Sequence, residues 1–528
     1  MKRKSLITGA IFLLGFLTVQ ICNAQKQVER WGRFEVKLNH APTGNAFVDD
    51  SLYAVFSNGD IKIFVHGFYD GEGIYKVRFM PAETGNWTYE TGSNVSELNG
   101  VSGSFTCIEA TGNNHGPVKV RNQYHFAYSD GKPYYPFGTT CYSFIHQSDS
   151  QAAVALNQLK HSPFNKIRFC VFPQWQDYTA VYPPYFPFER TGKEGKPIES
   201  GYWDLKRFNP DFFRNLEKRI EDLSKQGVEA DIILFHPYDE GHWGFDKMDR
   251  ETDIFYLKYI VARLSSFHNV WWSLANEYDF LKAKDQDDWD ALISTVAAED
   301  PFRHLCSIHN GKKYFENWNP NITHASIQSG DLVNDFGKAV ILRDAYKKPV
   351  IYDEVCYEGD IVPRWGNISG EELTHRMWQG MIAGTYVGHG ETFVGSDSIL
   401  HLIYGRELRG KCPARIQFLR DIVEETGALE AVDHFWGANN VAISEKGDVL
   451  IYFGKNKISK WPFTITRDSK IPDGTRYKAE IIDTWNMTRT PVSQTFETIL
   501  KEGVILDVNN KVIKMPKKQY LAIRLIRL

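Results

Sequence analysis

Between residues 28 and 110 apolar and polar positions alternate in short runs, at 33–38, 61–68, 74–80, 87–91 and 103–108, with turn residues between them. Alternation with a period of two gives each run one buried face, so this segment is predicted to be a small β-sandwich. Thr111, Gly112, Asn113, Asn114, His115, Gly116 and Pro117 break the pattern with residues that favour turns, and a boundary is placed between 114 and 115. From 118 to 428 the rhythm becomes short apolar runs, most of them followed by a helical period. The runs lie at 134–141, 166–172, 230–235, 270–275, 305–308, 325–328, 349–353 and 384–387, and helical patterns at 211–226, 253–267, 287–298, 335–346, 371–383 and 413–425. Alternating β and α segments imply a parallel sheet, and eight strand runs over this length predict a (β/α)8 TIM barrel. No GxGxxG follows any run, which removes the signature of a dinucleotide fold. After Gly427 strand-like runs return at 448–453, 461–466, 477–485, 504–508 and 520–525, predicting a closing β-sandwich.

The expected fold class is therefore multidomain, α/β with all-β: a leader at 1–24, a β-sandwich at 25–114, a TIM-barrel catalytic domain at 115–428 and a β-sandwich at 429–528. Lys2, Arg3 and Lys4 precede the apolar run 6–19, and Cys22-Asn23-Ala24 offers a signal-peptidase site with cleavage after Ala24. Lipidation of Cys22 is the alternative, disfavoured by the bulky Ile21 before it. Export to the periplasm or beyond the cell is expected. The chain has 528 residues, 42% of them hydrophobic, enough for a large core. Removing Lys2, Arg3 and Lys4 takes the formal charge from −4 to −7, which argues against a nucleic-acid partner. Past the leader no apolar stretch reaches the roughly 18 residues that cross a bilayer, so no membrane association is expected after cleavage. The six later cysteines form no CxxC pair and are assigned to no disulfide.

In a TIM barrel the site forms where the strands end. Run 270–275 ends in Asn276-Glu277, and run 349–353 ends at Asp353, followed by Glu354. These close the fourth and seventh strands, on facing sides of the mouth, where two carboxyls can approach the roughly 5 to 5.5 Å of a retaining glycosidase. One carboxyl must be protonated and the other ionised, and proximity separates their pKa values because each charge opposes the other. Taken singly, Glu277 could instead be a helix-start carboxylate and Glu354 a structural ion-pair partner. Other strand ends present His236, His309, Gln328 and His389 as candidate sugar contacts. The long insertion at 173–208 carries Trp175 and Trp203, whose flat rings are candidates to stack on sugar faces, and five prolines that limit its freedom.

An Asn-Glu ending strand four and a Glu ending strand seven resemble glycoside hydrolase clan A, where the first Glu is the acid/base and the second the nucleophile. The layout, from leading sandwich through barrel to closing β-domain, resembles the apiosidase-like glycoside hydrolases of polysaccharide-degrading bacteria. The resemblance implies hydrolysis of O-glycosidic bonds in a plant or microbial polysaccharide or oligosaccharide, with Glu277 as acid/base, Glu354 as nucleophile and no cofactor. It further implies that Asn276 donates to the sugar hydroxyl beside the reacting carbon, and that Arg168 lies beneath the nucleophile.

Two other classes compete. A metal-dependent barrel hydrolase is suggested by His236, His242, His309, His324 and His389, but strand one carries Thr139-Thr140-Cys141-Tyr142 in place of His-x-His, and HExxH is absent. Catalysis is expected to need no metal. A carbohydrate-binding protein on an inactive barrel would be favoured by loss of either glutamate, and both are present. A Ser-His-Asp hydrolase lacks its G-x-S-x-G elbow.

Overall fold

The computed structural model describes residues 26–191, 202–432 and 440–528. The expected leader with Cys22, and Pro197 of the long insertion, lie outside the described residues.

The first β region is a seven-stranded sheet in the order Gln27–Glu29, Ser102–Ile108, Gly85–Ser93, Leu52–Asn58, Ile61–Tyr69, Ile74–Phe79 and Phe34–Asn39. The sheet curls over on itself, because Phe34 on one edge strand stacks on Phe105 from the far side with ring centroids 4.0 Å apart. Both rings are buried with Phe56, Phe79 and Trp87. The five expected runs are strands, but the central strand Leu52–Asn58 was not among them. Its outward Tyr53 and Val55 are as apolar as its inward Leu52, Ala54 and Phe56, so no alternation shows in the sequence.

The middle of the chain builds eight parallel strands: β1 Gly138–Thr140, β2 Lys166–Cys170, β3 Glu229–Phe235, β4 Val270–Ala275, β5 Cys306–Ser307, β6 Ala325–Gln328, β7 Val350–Glu354 and β8 Tyr386–Val387. Strands β1 to β5 pair in chain order in one sheet and β6 to β8 in another. Parallel bridges His309↔Ser326 and Thr139↔His389 join the two sheets at both sides, giving a closed, barrel-like ring. Every position of β2, β3 and β4 is buried, as expected when helices cover the outside and side chains fill the inside. Outside lie α1 Asp149–Lys160, α2 Pro210–Ser224, α3 Arg250–Leu264, α4 Gln286–Glu299, α5 Phe336–Ala339, α6 Ile341–Tyr346, α7 Gly370–Ile382 and α8 Cys412–Thr426. The sequence pattern missed α1, which buries only Ala152, Ala155 and Leu159 and so carries a faint apolar stripe. Among the described residues no helix follows β5 before β6 begins.

The last β region is an eight-stranded sheet in the order Leu429–Ala431, Asn440–Ser444, Val449–Gly454, Leu521–Arg527, Arg476–Asp483, Thr488–Lys501, Val504–Asp507 and Thr464–Thr466. Both flanking regions are fixed to the ring by buried polar contacts. Arg263 of α3 pairs with Asp70, just past the strand Ile61–Tyr69 of the first sheet, at 2.8 Å and with Glu217 of α2 at 2.7 Å. On the other side the hydroxyl of Tyr452 lies 3.0 Å from His375 Nδ1 of α7. All six cysteines from Cys107 to Cys412 are free and buried. Among the described residues no helix is long and apolar enough to cross a membrane.

Candidate functional site

Strand β4 ends at Asn276 and Glu277, where the backbone leaves the strand. Glu277 takes a left-handed conformation, φ 48° and ψ 52°, and the chain turns into the short helical turn Tyr278–Phe280. A non-glycine residue held in this region is strained, and such strain is found where a side chain must be aimed. At β7 a different device operates. Ser326 pairs with Ile351, but the next pair is Gln328 with Glu354, so β7 holds one extra residue. The bulge breaks the usual alternation of faces. Consecutive residues Asp353 and Glu354 therefore both reach into the ring, Asp353 to Lys166 and Glu354 towards Arg168.

The two glutamates belong to one hydrogen-bond network. Glu277 accepts from Tyr238 Oη at 2.8 Å on Oε2 and from Gln328 Nε2 at 2.8 Å on Oε1. Glu354 Oε1 accepts from Tyr142 Oη at 2.5 Å and from Asn276 Nδ2 at 3.3 Å. Asn276 Nδ2 also donates to Tyr238 Oη, and its Oδ1 accepts from Arg168 Nη2 at 2.7 Å. Asn276 and Tyr238 thus link the carboxyls at a single cleft. Glu277 is half-buried and Glu354 is 5% exposed.

Beneath them lies a buried charge cluster. Lys166 Nζ is 2.5 Å from Asp231 and 3.0 Å from Asp353, and Arg168 stands 3.6 Å from Asp231 and 3.9 Å from Glu354. Burial alone would raise the Asp353 carboxyl, but Lys166 and Arg168 outweigh it and hold it well below the usual carboxylate range. For Glu277 the balance is reversed: burial, then the charge of Glu354, pushes its carboxyl up to about 7, against the pull of the Gln328 and Tyr238 bonds. Burial, then the neighbouring Arg168, holds His309 well below its ordinary value, so it is neutral beside Glu354.

The remaining expected site residues divide sharply. Gln328 sits in the cleft on Glu277, and Arg168 lies under Glu354. The amide of Asn276 is already engaged by Arg168, Tyr238 and Glu354. His309 is fully buried with Nε2 4.0 Å from Glu354, so it backs the carboxylate and does not line the mouth. His236 is not a sugar contact in this arrangement: its Nε2 bonds the Phe172 carbonyl at 2.8 Å and its Nδ1 accepts from Tyr238 N at 3.1 Å. Both ring nitrogens are occupied in shaping the loop that carries Tyr238. His389 is corrected likewise. It bonds Thr139 at 2.9 Å and stacks on Phe164, and Thr139 and Phe164 line a gap under α1, outside the ring. Glu391 accepts from the backbone of Arg409 and Gly410, just before α8.

Trp203 is a staple. Its Nε1 donates to the Trp243 carbonyl at 2.8 Å and its ring packs on Phe186 and Phe245. Trp175 is nearer the site, stacked on His242 at 4.0 Å with its backbone N bonded to the Tyr238 carbonyl at 2.7 Å. Trp203→Ala is therefore expected to destabilise the fold by about 2–3 kcal/mol with kinetic constants unchanged, because it removes ring packing remote from the glutamates. Trp175→Ala, whose ring packs on Tyr182, His242 and Trp243, is expected to lower kcat/KM as well as stability. Thermal unfolding and steady-state kinetics on both variants check the contrast, and equal kinetic effects would overturn it.

Tyr142 and Tyr238 were not among the expected residues. Each stands just past the end of a strand, β1 and β3, and that position is the only signal the sequence offered. Among the described residues no group of three or more His, Cys, Asp or Glu side chains is arranged to hold a metal ion.

Comparison with known proteins bears on this geometry. Residues 120–409 match the family model of the apiosidase-like catalytic domain. Residues 27–94 and 436–526 match two domains of unknown function, DUF5060 and DUF5605. No curated protein matches the chain. A solved structure described as a proposed glycoside hydrolase from Bacteroides vulgatus ATCC 8482 is 41% identical with a TM-score of 0.91, covering 96% of this chain and 100% of its own. A glycoside hydrolase family 5 structure from the same organism shares the fold at 14% identity and a TM-score of 0.56, over 78% of this chain and 94% of its own. With one match spanning more than half of its length and the other nearly all of it, this chain belongs to the apiosidase-like family of glycoside hydrolases.

Proposed function

We propose that the protein is a retaining glycosidase acting on a plant or microbial polysaccharide or oligosaccharide after export, with Glu354 as nucleophile and Glu277 as acid/base on a (β/α)8 TIM barrel flanked by two β-sandwich domains. The proposed domains are 25–114, 115–428 and 429–528, following a leader cleaved after Ala24. The observation that carries the reading is the coupling of Glu277 and Glu354 through Asn276 and Tyr238 at the ends of β4 and β7.

In the first step the Glu354 carboxylate attacks the anomeric carbon, the glycosidic C–O bond breaks, and the leaving oxygen takes the Glu277 proton. Burial and the charge of Glu354 keep that proton on Glu277 near neutral pH. Once Glu354 is esterified its charge is gone, while Gln328 and Tyr238 still donate to Glu277. Glu277 then holds its proton less firmly, and its carboxylate takes a proton from the water attacking the anomeric carbon. Arg168 and Tyr142 receive the carboxylate of Glu354 as it is released. Trp175 and Tyr182, packed edge to face at 4.9 Å, form a wall of the substrate site.

The test begins with a screen of the purified protein on polysaccharides, followed by NMR of the first product formed. Retention of anomeric configuration is expected, and inversion would overturn the double displacement. Activity is expected to survive exhaustive chelation. Loss of activity with the fold intact, restored by zinc or manganese, would favour a metal-dependent hydrolase instead.

A further inference from the structure

A second cavity opens on the same face of the ring as the glutamates. It measures 390 Å³ and lies between the segment Gln147 to Asp149, which leads into α1, the first turns of α2, and Tyr185 of the loop after β2. The Tyr185 ring is 41% exposed and stacks on no other ring among the described residues. Facing it is a wall in which donors and acceptors interleave. Asp149 accepts from Arg219 at 2.8 Å, and Arg214 donates to Asp211 at 2.9 Å. Asn215 spends its Nδ2 on the Ile145 carbonyl at 2.8 Å.

Two donors buried behind this wall have no acceptor in the protein, Nε2 of Gln147 and Nε of Arg219. Arg219 is only 2% exposed, and an unsatisfied donor at that depth is costly to leave without a partner. The cations of the wall, Arg214, Lys218 and Arg219, are paired with Asp211, Asp222 and Asp149, so the cavity offers little net attraction for an anion. An aromatic face beside planar amide, carboxylate and guanidinium groups suits a ligand with an apolar C–H face and hydroxyls that both donate and accept.

We propose that this cavity is a second sugar-binding site, which takes a neutral residue of a glycan chain and holds a polymer beside the catalytic cleft. Tyr185 stacks on the pyranose face, and Gln147, after rotation of its amide, donates to a ring hydroxyl. The inference rests on membership of the glycoside hydrolases and does not depend on the retaining mechanism.

Affinity electrophoresis of the full-length protein in gels containing arabinoxylan, galactan, glucomannan or polygalacturonan tests it, with Tyr185→Ala and Gln147→Ala alongside. At least one neutral polymer is expected to retard the protein, and Tyr185→Ala to weaken that binding about fivefold with an unchanged melting temperature. Turnover of the retarding polymer should fall with it, while kcat/KM on a small aryl glycoside stays within about twofold. Three results would overturn the proposal: no retardation by any neutral polymer, retardation that both variants retain in full, or aryl glycoside turnover falling as much as polymer turnover. Retardation by polygalacturonan alone, abolished by salt, would also overturn it. If the product anomer is inverted, the double-displacement reading fails, and retardation still decides this site.

Discussion

Glu354→Gln is expected to lower kcat/KM by on the order of 10⁴-fold or more, with the melting temperature nearly unchanged. The amide keeps the shape of the carboxylate, and its carbonyl oxygen can still accept from Tyr142 and Asn276, which both donate to Oε1 in the native protein. What it cannot do is form the ester with the sugar. Removing the charge has a second effect, since Glu354 helps to push the Glu277 carboxyl up, and the variant should hold the Glu277 proton less firmly. The assignment is checked directly by trapping the wild type with a 2-fluoro glycoside of the preferred sugar and locating the label by peptide mass. Label on Glu354 is the expected result. Label on another carboxylate, or substantial turnover by the Gln variant, would remove Glu354 from the role.

Much of this site could be read from the chain because its residues end apolar runs. All eight runs between 134 and 387 coincide with strands of the ring, and Asn276, Glu277 and Glu354 stand at their ends as expected. The direction of a side chain at a strand end was a different matter. His236 and His389 occupy the same kind of position as Gln328, yet one is consumed by backbone bonds and the other points out towards α1. A one-residue bulge such as the one in β7 changes which face a side chain takes, and nothing in the local sequence announces it. The long insertion was legible as ordered from its aromatics but not in its division of labour. Trp175 lies against the Tyr238 loop, Trp203 ties the insertion to Trp243, and Tyr185 faces a separate cavity. The strands Leu52–Asn58 and Thr488–Lys501 escaped notice for opposite reasons, one being apolar on both faces and the other largely exposed.

Glu277→Ala should separate substrates by leaving group. On glycosides with poor leaving groups the first step needs the proton, and kcat/KM is expected to fall on the order of 10³-fold. On activated aryl glycosides, whose phenolate departs unaided, kcat/KM should change little, while kcat falls because the second step has lost its base. Azide should restore that second step, since a small anion entering the space left by the side chain attacks without base assistance, and the product should be a glycosyl azide of retained configuration. The pH profile gives an independent reading. Glu277 must be protonated to act as acid, and its carboxyl is held up to about 7, so wild-type kcat/KM on a poor leaving group is expected to fall about tenfold per pH unit above neutrality. Tyr238 donates to Glu277 and pulls its carboxyl down, so Tyr238→Phe should move this basic limb to higher pH. In Glu277→Ala the limb should vanish altogether. If activated and unactivated substrates fell together, azide did nothing and the basic limb persisted, the proton would have to come from elsewhere in the cleft, and the buried hydroxyl of Tyr142 would be the next group to replace.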